Sequence, residues 1–166
     1  MSLVLAPLAA LALLLWIAAV LDRTRAFPRA RTLPPAADDG AAAGHVAAVV
    51  PARNEARGLP ATLPALMAQG PPLERIVVVD DRSEDDTAAV ARALAAEAPA
   101  GSVEVEVTRV EVLPAGWMGK VHAQGVGVEH LAPEVDWVLF TDADIDHGPG
   151  VVRRLLAQAA RGPYDL

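Results

Sequence analysis

Short runs of β-branched residues alternate with Ala- and Leu-rich stretches from residue 45 onward. The runs predict strands, and the stretches between them have the length and composition of helices. Regular alternation of the two is typical of βαβ units and predicts an α/β domain with a mainly parallel sheet. The predicted strands are Val46–Val50, Ile76–Val79, Val103–Val110 and Trp137–Thr141, and the predicted helices are Glu55–Ala68, Asp85–Glu97, Val121–His130 and Pro149–Ala160.

Local start and stop signals accompany these elements. Pro51 is expected to end the first strand, because proline has no N–H for a sheet bond. Asn54 is expected to cap the helix that follows it. Ser83 is placed to cap the next helix, with Glu84–Asp86 favouring the positive end of its dipole.

Residues 3–21 form one apolar stretch without a charged side chain. As a helix the stretch is roughly 28 Å long, close to the hydrocarbon thickness of a bilayer. Basic residues follow the stretch instead of preceding it, which disfavours a cleaved signal peptide. We therefore expect a transmembrane signal-anchor helix over residues 1–22 and, by the positive-inside rule, a cytoplasmic domain after it.

A basic juxtamembrane segment and a linker are expected over residues 23–44, since residues 34–44 are small or polar and include two prolines. The remaining domain then covers residues 45–166. The formal net charge of −7 argues against a nucleic-acid partner. The chain has no cysteine, which excludes thiolate zinc sites and cysteine nucleophiles from it.

An apolar strand over residues 137–141 is followed by two aspartates, Asp142 and Asp144. Ligands of open α/β sheets bind beyond the carboxyl ends of the strands. Carboxylates at positions i and i+2 of an extended chain point to the same side and can share one hard cation, whose other ligands are water and substrate phosphates. The pair therefore predicts a site for a metal-bound diphosphate. The alternative is an Asp-rich turn that only caps the next helix.

Two further predicted strands end in polar residues, within the segments 49–55 and 77–83. Each end also has an interpretation without a binding role, in which Arg53 is a solvated surface residue and Asp80 and Asp81 form a polar turn. Because the carboxyl ends of parallel strands meet at one edge of a sheet, three such ends together predict one crevice lined by acids and hydrogen-bond donors.

In order and spacing, these segments resemble the inverting, family 2 type of glycosyltransferase. The matching pieces are Val-Val-Pro-Ala-Arg-Asn-Glu from residue 49, Val-Val-Asp-Asp-Arg-Ser from residue 78, Gly-Lys at 119–120 and Thr-Asp-Ala-Asp-Ile from residue 141. The resemblance covers residues 45–166 and implies the GT-A fold, a three-layer sandwich with a mainly parallel sheet. Residues 113–120, Leu-Pro-Ala-Gly-Trp-Met-Gly-Lys, are similar to the hopene-associated glycosyltransferases of hopanoid-making bacteria, which also carry an N-terminal membrane helix.

The resemblance implies which residues bind the donor. The nucleotide-binding residues would be Pro51, Ala52, Arg53, Asn54, Glu55, Asp80, Asp81, Lys120 and Asp142, and the ligands of Mn²⁺ or Mg²⁺ would be Asp142 and Asp144. Asp80 would accept a hydrogen bond from the base or the ribose, and Lys120 would neutralise diphosphate oxygens. Lys120 stands at a predicted helix start, which is a poor place for a cation and predicts a negative partner for it.

The implied activity is transfer of a sugar from a nucleotide-diphospho-sugar, by default a UDP-sugar, to a lipid acceptor by metal-assisted inverting displacement. The narrower resemblance suggests a hopanoid acceptor and a bacterial inner-membrane location. The alternatives are an inactive, membrane-tethered nucleotide-binding scaffold and a polyprenyl-phosphate glycosyltransferase. A phospho-acceptor receiver domain is disfavoured, because its acidic pair should follow the first strand, whereas Asp80 follows the second.

The catalytic base is expected after residue 166, in a C-terminal acceptor half that this chain lacks, and no turnover is expected from residues 1–166 alone.

Asp146 and His147 are expected to shape the metal loop, with His147 near enough to join the coordination sphere. Trp117 is expected to pack on the sugar or the lipid acceptor, or else to anchor its own loop. Gln124 stands one position away from the asparagine that many relatives carry after the Gly-Lys pair.

Overall fold

The computed structural model of the chain describes residues 13–18 and 44–160. Residues 13–18 are helical, and no helix in these two ranges has the length and apolar character needed to cross a bilayer. The rest of the predicted anchor, nearly all of the linker, and residues 161–166 lie outside the described residues. The elements from residue 44 onward are β1 (Val46–Ala52), α1 (Leu59–Met67), β2 (Leu73–Asp81), α2 (Thr87–Ala96), β3 (Glu104–Val110), α3 (Gly119–Glu129), β4 (Trp137–Phe140) and α4 (Val151–Ala159).

The strands form one sheet in the order β3-β2-β1-β4, and every neighbouring pair is parallel. The α/β class and the parallel sheet predicted from the sequence are therefore confirmed. In register, Ala52 at the end of β1 lies opposite Asp80, and Val49 lies opposite Phe140 of β4. The loops that follow β1, β2 and β4 consequently emerge side by side at one edge of the sheet.

Successive residues of the central strands face opposite sides of the sheet. One side of β1 and β2, including Val50 and Val78, packs against apolar residues of α1, α2 and α4. The other side, including Val49 and Val77, packs against α3. Burial on both faces explains the continuous apolar runs of these strands. The result is a three-layer arrangement, with helices on both sides of the sheet.

α3 approaches the sheet most closely at Gly127. A Cβ atom placed there would lie 2.3 Å from Cγ1 of Val49 and 3.1 Å from Cγ2 of Val79. Glycine therefore allows the helix backbone to rest directly on the valines of β1 and β2. By contrast, a Cβ at Gly125 in the same helix would meet nothing within 4 Å.

Three local expectations are wrong. β1 continues through Pro51 to Ala52. The carbonyl of Val49 accepts a hydrogen bond from the N–H of Thr141, so the backbone polar groups of Val49 face β4. Pro51 lies two residues further along β1, so its nitrogen faces the same side. That nitrogen lies beyond the end of β4. Its missing N–H therefore removes no sheet bond. α1 and α2 begin after Gly58 and Asp86, with no side-chain cap from Asn54 or Ser83.

Candidate functional site

The loops after β1 and β2 are joined by hydrogen bonds. The N–H of Asn54 donates to Oγ of Ser83 at 3.0 Å, and Oδ1 of Asn54 accepts from the N–H of Glu84 at 2.9 Å. The N–H of Glu55 donates to Oγ1 of Thr87 at 2.8 Å. Asn54 reaches this position with a φ of 58°, in the left-handed region that asparagine tolerates. Residues 53–56 and 82–87 thus form one unit, called here the loop pair.

Asp85 strengthens the loop pair from the α2 side. Its carboxylate accepts hydrogen bonds from the N–H of Ala56 at 3.2 Å, from the N–H of Thr87 at 3.0 Å, and from the Thr87 hydroxyl. These bonds, that of the Thr87 hydroxyl above all, hold the pKa of Asp85 below its ordinary value. At the start of α2, the N–H of Thr87 therefore has its hydrogen-bond acceptor in Asp85 and not in Ser83.

Asp80 lies beneath the loop pair and has no exposed surface. Its Oδ1 accepts from the N–H of Ser83 at 2.9 Å, and its Oδ2 accepts from Nη1 of Arg109 at 2.8 Å. A buried carboxylate requires such partners. The lack of exposed surface at Asp80 leaves its direct contact with a base or ribose a prediction. In this structure Asp80 holds the turn above it through the N–H of Ser83. Arg109 was not predicted; its signal is a lone arginine in a β-branched strand.

An open cleft of about 220 Å³ lies at the carboxyl ends of β1, β2 and β4. It brings together every predicted donor-binding residue except Asn54 and Asp80, and it also contains Asp144. Asn54 lies in the loop pair beside it. The residues that line the cleft are Pro51, Ala52, Arg53, Glu55, Asp81, Lys120, Asp142, Ala143 and Asp144.

Asp81 is held at the start of α3. A Cβ atom on Gly119 would lie 2.3 Å from Oδ2 of Asp81, so glycine at this position leaves the room that the carboxylate occupies. Oδ1 of Asp81 accepts from Nε of Arg82 at 2.9 Å. The free N–H groups and the dipole of a helix N-terminus also favour a negative charge there. Asp81 is nevertheless a lining residue of the cleft, although only 5% of its surface is exposed.

Lys120 extends from the first turn of α3 to the loop after β4. Its Nζ lies 2.5 Å from Oδ1 of Asp142, so the negative partner that its position at a helix start predicted is Asp142. Both side chains are about half exposed, at 55% and 50%. Asp144 is also exposed, and it forms no salt bridge with any residue that the structure describes.

The loop that carries both aspartates is held from below by α1 and the residues after it. Oγ1 of Thr62 donates to the carbonyl of Ala143 at 2.6 Å in a buried contact. Nε2 of Gln69 donates to the carbonyl of Gly148 at 3.1 Å, and its Oε1 accepts from the N–H of Val152 at 3.4 Å. These side chains bind backbone groups of the loop and of the first turn of α4.

His147 also lies under this loop, and only 8% of its surface is exposed. Its Nε2 is 3.1 Å from Oγ1 of Thr141, and neither His147 nor Asp146 lines the cleft. In the described ranges, no three His, Asp or Glu side chains converge on one metal position. The expectation that His147 shapes the loop fits this structure, whereas its expected place in a coordination sphere does not.

Replacing Thr62 with valine should lower the free energy of unfolding by about 1 kcal/mol, because the shape is kept but the buried carbonyl of Ala143 loses its donor. Urea denaturation would measure the effect. Thr108→Val in β3 is a suitable control, since Thr108 is partly buried and its hydroxyl forms no hydrogen bond with the described residues. Equal effects of the two substitutions would contradict the assigned role of Thr62.

The loop leading into α3 exposes large apolar side chains. Val112 is 75% exposed, Trp117 is 52% exposed and Met118 is 72% exposed. The Trp117 ring packs edge-on against His122, with the ring centroids 5.5 Å apart. His122 thus supports one part of the Trp117 side chain while about half of the residue remains open to solvent.

Comparison with protein families and curated proteins gives two findings. The model of the family described as Glycosyl transferase family 2 matches residues 47–166. The 4,4'-diaponeurosporenoate glycosyltransferase of Staphylococcus aureus is 34% identical over 97 residues, which are 58% of this chain and 23% of that protein. The match therefore spans less than a quarter of that relative.

Two solved structures share the fold over most of this chain. The mannosyltransferase PcManGT from Pyrobaculum calidifontis, in complex with GDP-Man and Mn²⁺, aligns with a TM-score of 0.57 and 26% identity, over 72% of this chain and 33% of that one. TarS 1-349 from S. aureus, in complex with UDP-GlcNAc, aligns with a TM-score of 0.50 and 25% identity, over 70% of this chain and 30% of that one. The sheet and helices described above thus have counterparts in GT-A glycosyltransferases.

Proposed function

The chain belongs to glycosyltransferase family 2, and on this basis we propose that its cleft binds the nucleotide diphosphate of a sugar donor. The observation that carries the proposal is the meeting of Asp81, Asp142, Asp144 and Lys120 in one cleft at the carboxyl ends of the strands. Acids and a lysine at this edge suit a ligand that presents both hydroxyl donors and phosphate oxygens.

Residues of the cleft divide into two groups on this proposal. Asp81 would bind the nucleoside beside the loop pair, because its carboxylate is an acceptor at the cleft and internal hydrogen bonds hold the neighbouring loops in a fixed arrangement. Lys120 would bind the diphosphate, where a positive charge offsets the negative charge that grows on the leaving group as the sugar–oxygen bond breaks. A hydroxyl of the acceptor would give up its proton to a general base and form the new bond to the anomeric carbon from the face opposite the departing diphosphate, which would invert the configuration of that carbon.

A divalent cation, Mn²⁺ or Mg²⁺, is part of the proposal. Asp142 and Asp144 offer hard oxygen ligands from the same loop, and both line the cleft. Two carboxylates without further protein ligands fit an ion that takes its remaining ligands from phosphates and water. When bound, such an ion would further offset the charge on the departing diphosphate. The Mn²⁺ in the complex of PcManGT supports this part of the proposal.

The acceptor that we propose for the whole protein is a lipid, either a hopanoid or a polyprenyl phosphate. Three observations support an apolar acceptor: the exposed Trp117 and Met118, the apolar stretch over residues 3–21, and the similarity to an enzyme named for 4,4'-diaponeurosporenoate. We also propose that residues 1–22 anchor the protein in a bacterial inner membrane, with the cleft on the cytoplasmic side.

Calorimetric titration of the full chain in detergent micelles tests donor binding. The ligands would be UDP, GDP, UDP-GlcNAc and GDP-Man, each with and without Mn²⁺, with AMP as a monophosphate control. We expect one of the two diphosphate series to bind in a metal-dependent manner and AMP to bind far more weakly. Nucleotide binding that does not depend on the metal would favour the nucleotide-binding scaffold. The proposal would be refuted if a chain that circular dichroism shows to be folded bound none of these ligands.

A further inference from the structure

Two of the four carboxylates that line the cleft, Asp81 and Asp142, already have a cationic partner. Arg82 binds Asp81, and Lys120 binds Asp142. The other two, Glu55 and Asp144, form no salt bridge with the described residues. The ammonium of Lys120 therefore occupies one of the two carboxylates on which the proposed metal site depends. A divalent cation that binds both aspartates would compete with Lys120 for the negative charge of Asp142.

We infer that Lys120 is a resident counter-ion that exchanges between two anions: the Asp142 carboxylate when the cleft is empty, and the donor diphosphate when it is filled. This inference rests on the proposed donor-binding function. Lysine suits the role, because its ammonium is a compact charge on a flexible stem and has no fixed planar geometry to satisfy. A half-exposed ion pair is also weak enough to be broken by a ligand.

The exchange requires only the two side chains to move. Lys120 follows Gly119, whose backbone is packed against Asp81 at the start of α3. Asp142 precedes Ala143, whose carbonyl is held by Thr62. Both backbone positions are therefore fixed, while the ammonium and the carboxylate are exposed and free to rotate.

The consequence is that metal and nucleotide assist each other's binding. A metal ion that enters alone leaves Lys120 without its partner in a cleft that gains positive charge. When a diphosphate enters with the metal, Lys120 regains an anionic partner. Lys120 thus disfavours the free metal and favours the metal–nucleotide complex, and by linkage the same factor applies to nucleotide binding in the presence of metal.

Mn²⁺ binding to the full chain, followed by the electron paramagnetic resonance signal of free Mn²⁺ with and without UDP or GDP, tests this inference. In the Lys120→Met variant we expect the dissociation constant for Mn²⁺ alone to fall by up to about fivefold, the upper range for an exposed ion pair. The gain in Mn²⁺ affinity on adding the nucleotide should shrink. Lys120→Arg, which keeps the charge, should retain most of that gain.

Arg92→Met is the matched control for the loss of one positive charge, because Arg92 is an exposed residue of α2 that lies outside the cleft and forms no salt bridge with the described residues. It should leave the dissociation constant for Mn²⁺ alone within about twofold of wild type. If Lys120→Met does not tighten Mn²⁺ binding, or if Arg92→Met tightens it equally, the inference is overturned while metal-dependent nucleotide binding still stands. If the wild-type chain binds neither Mn²⁺ nor nucleotide, both the inference and the proposed function fail. Thermal melts by circular dichroism confirm that each variant is folded.

Discussion

Asp144→Asn should remove the metal-dependent part of donor binding and leave the chain folded. The side chain is exposed and forms no salt bridge with the described residues, so its charge contributes little to stability. Two unit charges about 4 Å apart interact by about 4 kcal/mol at an effective dielectric constant near 20. With solvent screening reducing this by about half, the donor affinity measured with Mn²⁺ should still fall by about 30-fold, since each 1.4 kcal/mol is a factor of ten.

Calorimetric titration of the nucleotide diphosphate with and without Mn²⁺ measures this loss. Asp146→Asn is the control, because Asp146 is an exposed acid of the same loop but does not line the cleft. We expect this control to change the affinity by less than about twofold, as a solvated charge outside the site would. If Asp144→Asn retained Mn²⁺-dependent binding, the paired aspartates would have only the structural role of a turn.

Gly127→Ala should lower the free energy of unfolding by about 2 kcal/mol. The new methyl group would lie 2.3 Å from Cγ1 of Val49, a fully buried and β-branched side chain with little freedom to turn away. Overpacking of this kind costs about 1–3 kcal/mol. The higher helix propensity of alanine offsets up to about 1 kcal/mol of that cost. Urea or thermal denaturation followed by circular dichroism would measure the difference.

Gly125→Ala is the matched control for this prediction. It lies in the same helix, two residues away, and its Cβ would meet nothing within 4 Å. The substitution should therefore raise the free energy of unfolding by about 0.5–1 kcal/mol through helix propensity alone. Effects of the same sign at both positions would mean that α3 does not rest on β1 as described.

The sheet was predictable from the sequence because periodicity and burial are local signals. The runs in β1 and β2 are continuously apolar because both of their faces are covered, and Gly and Pro mark several of the loops between them. The helix caps were not predictable in the same way. Several Asn, Ser and Asp side chains stand near each helix start, and the bonds between Asn54, Ser83 and Glu84 join residues about 30 positions apart.

The cleft was predictable at the level of strand ends but not of individual atoms. Asp80 and Asp81 are neighbours in β2, and successive side chains of a strand point to opposite faces. The sequence does not show which of the two faces the cleft. In the structure, Arg109 of β3 lies opposite Asp80 in register and binds its carboxylate, and Asp81 faces the cleft. The support that Thr62 gives to Ala143 joins residues 81 positions apart, and no local pattern indicates such a contact.

The loop pair gives the two ends of the cleft different thermodynamic character. The backbone N–H groups of Asn54 and Glu55 are already fixed by Ser83 and Thr87, so a nucleoside that binds there orders almost nothing and loses little conformational entropy. At the other end, the exchange proposed for Lys120 would take it from the Asp142 carboxylate to the diphosphate, and solvent around both anions would rearrange. Donors that differ in the base should therefore differ mainly in binding enthalpy. Donors that differ in phosphate charge should differ mainly in entropy.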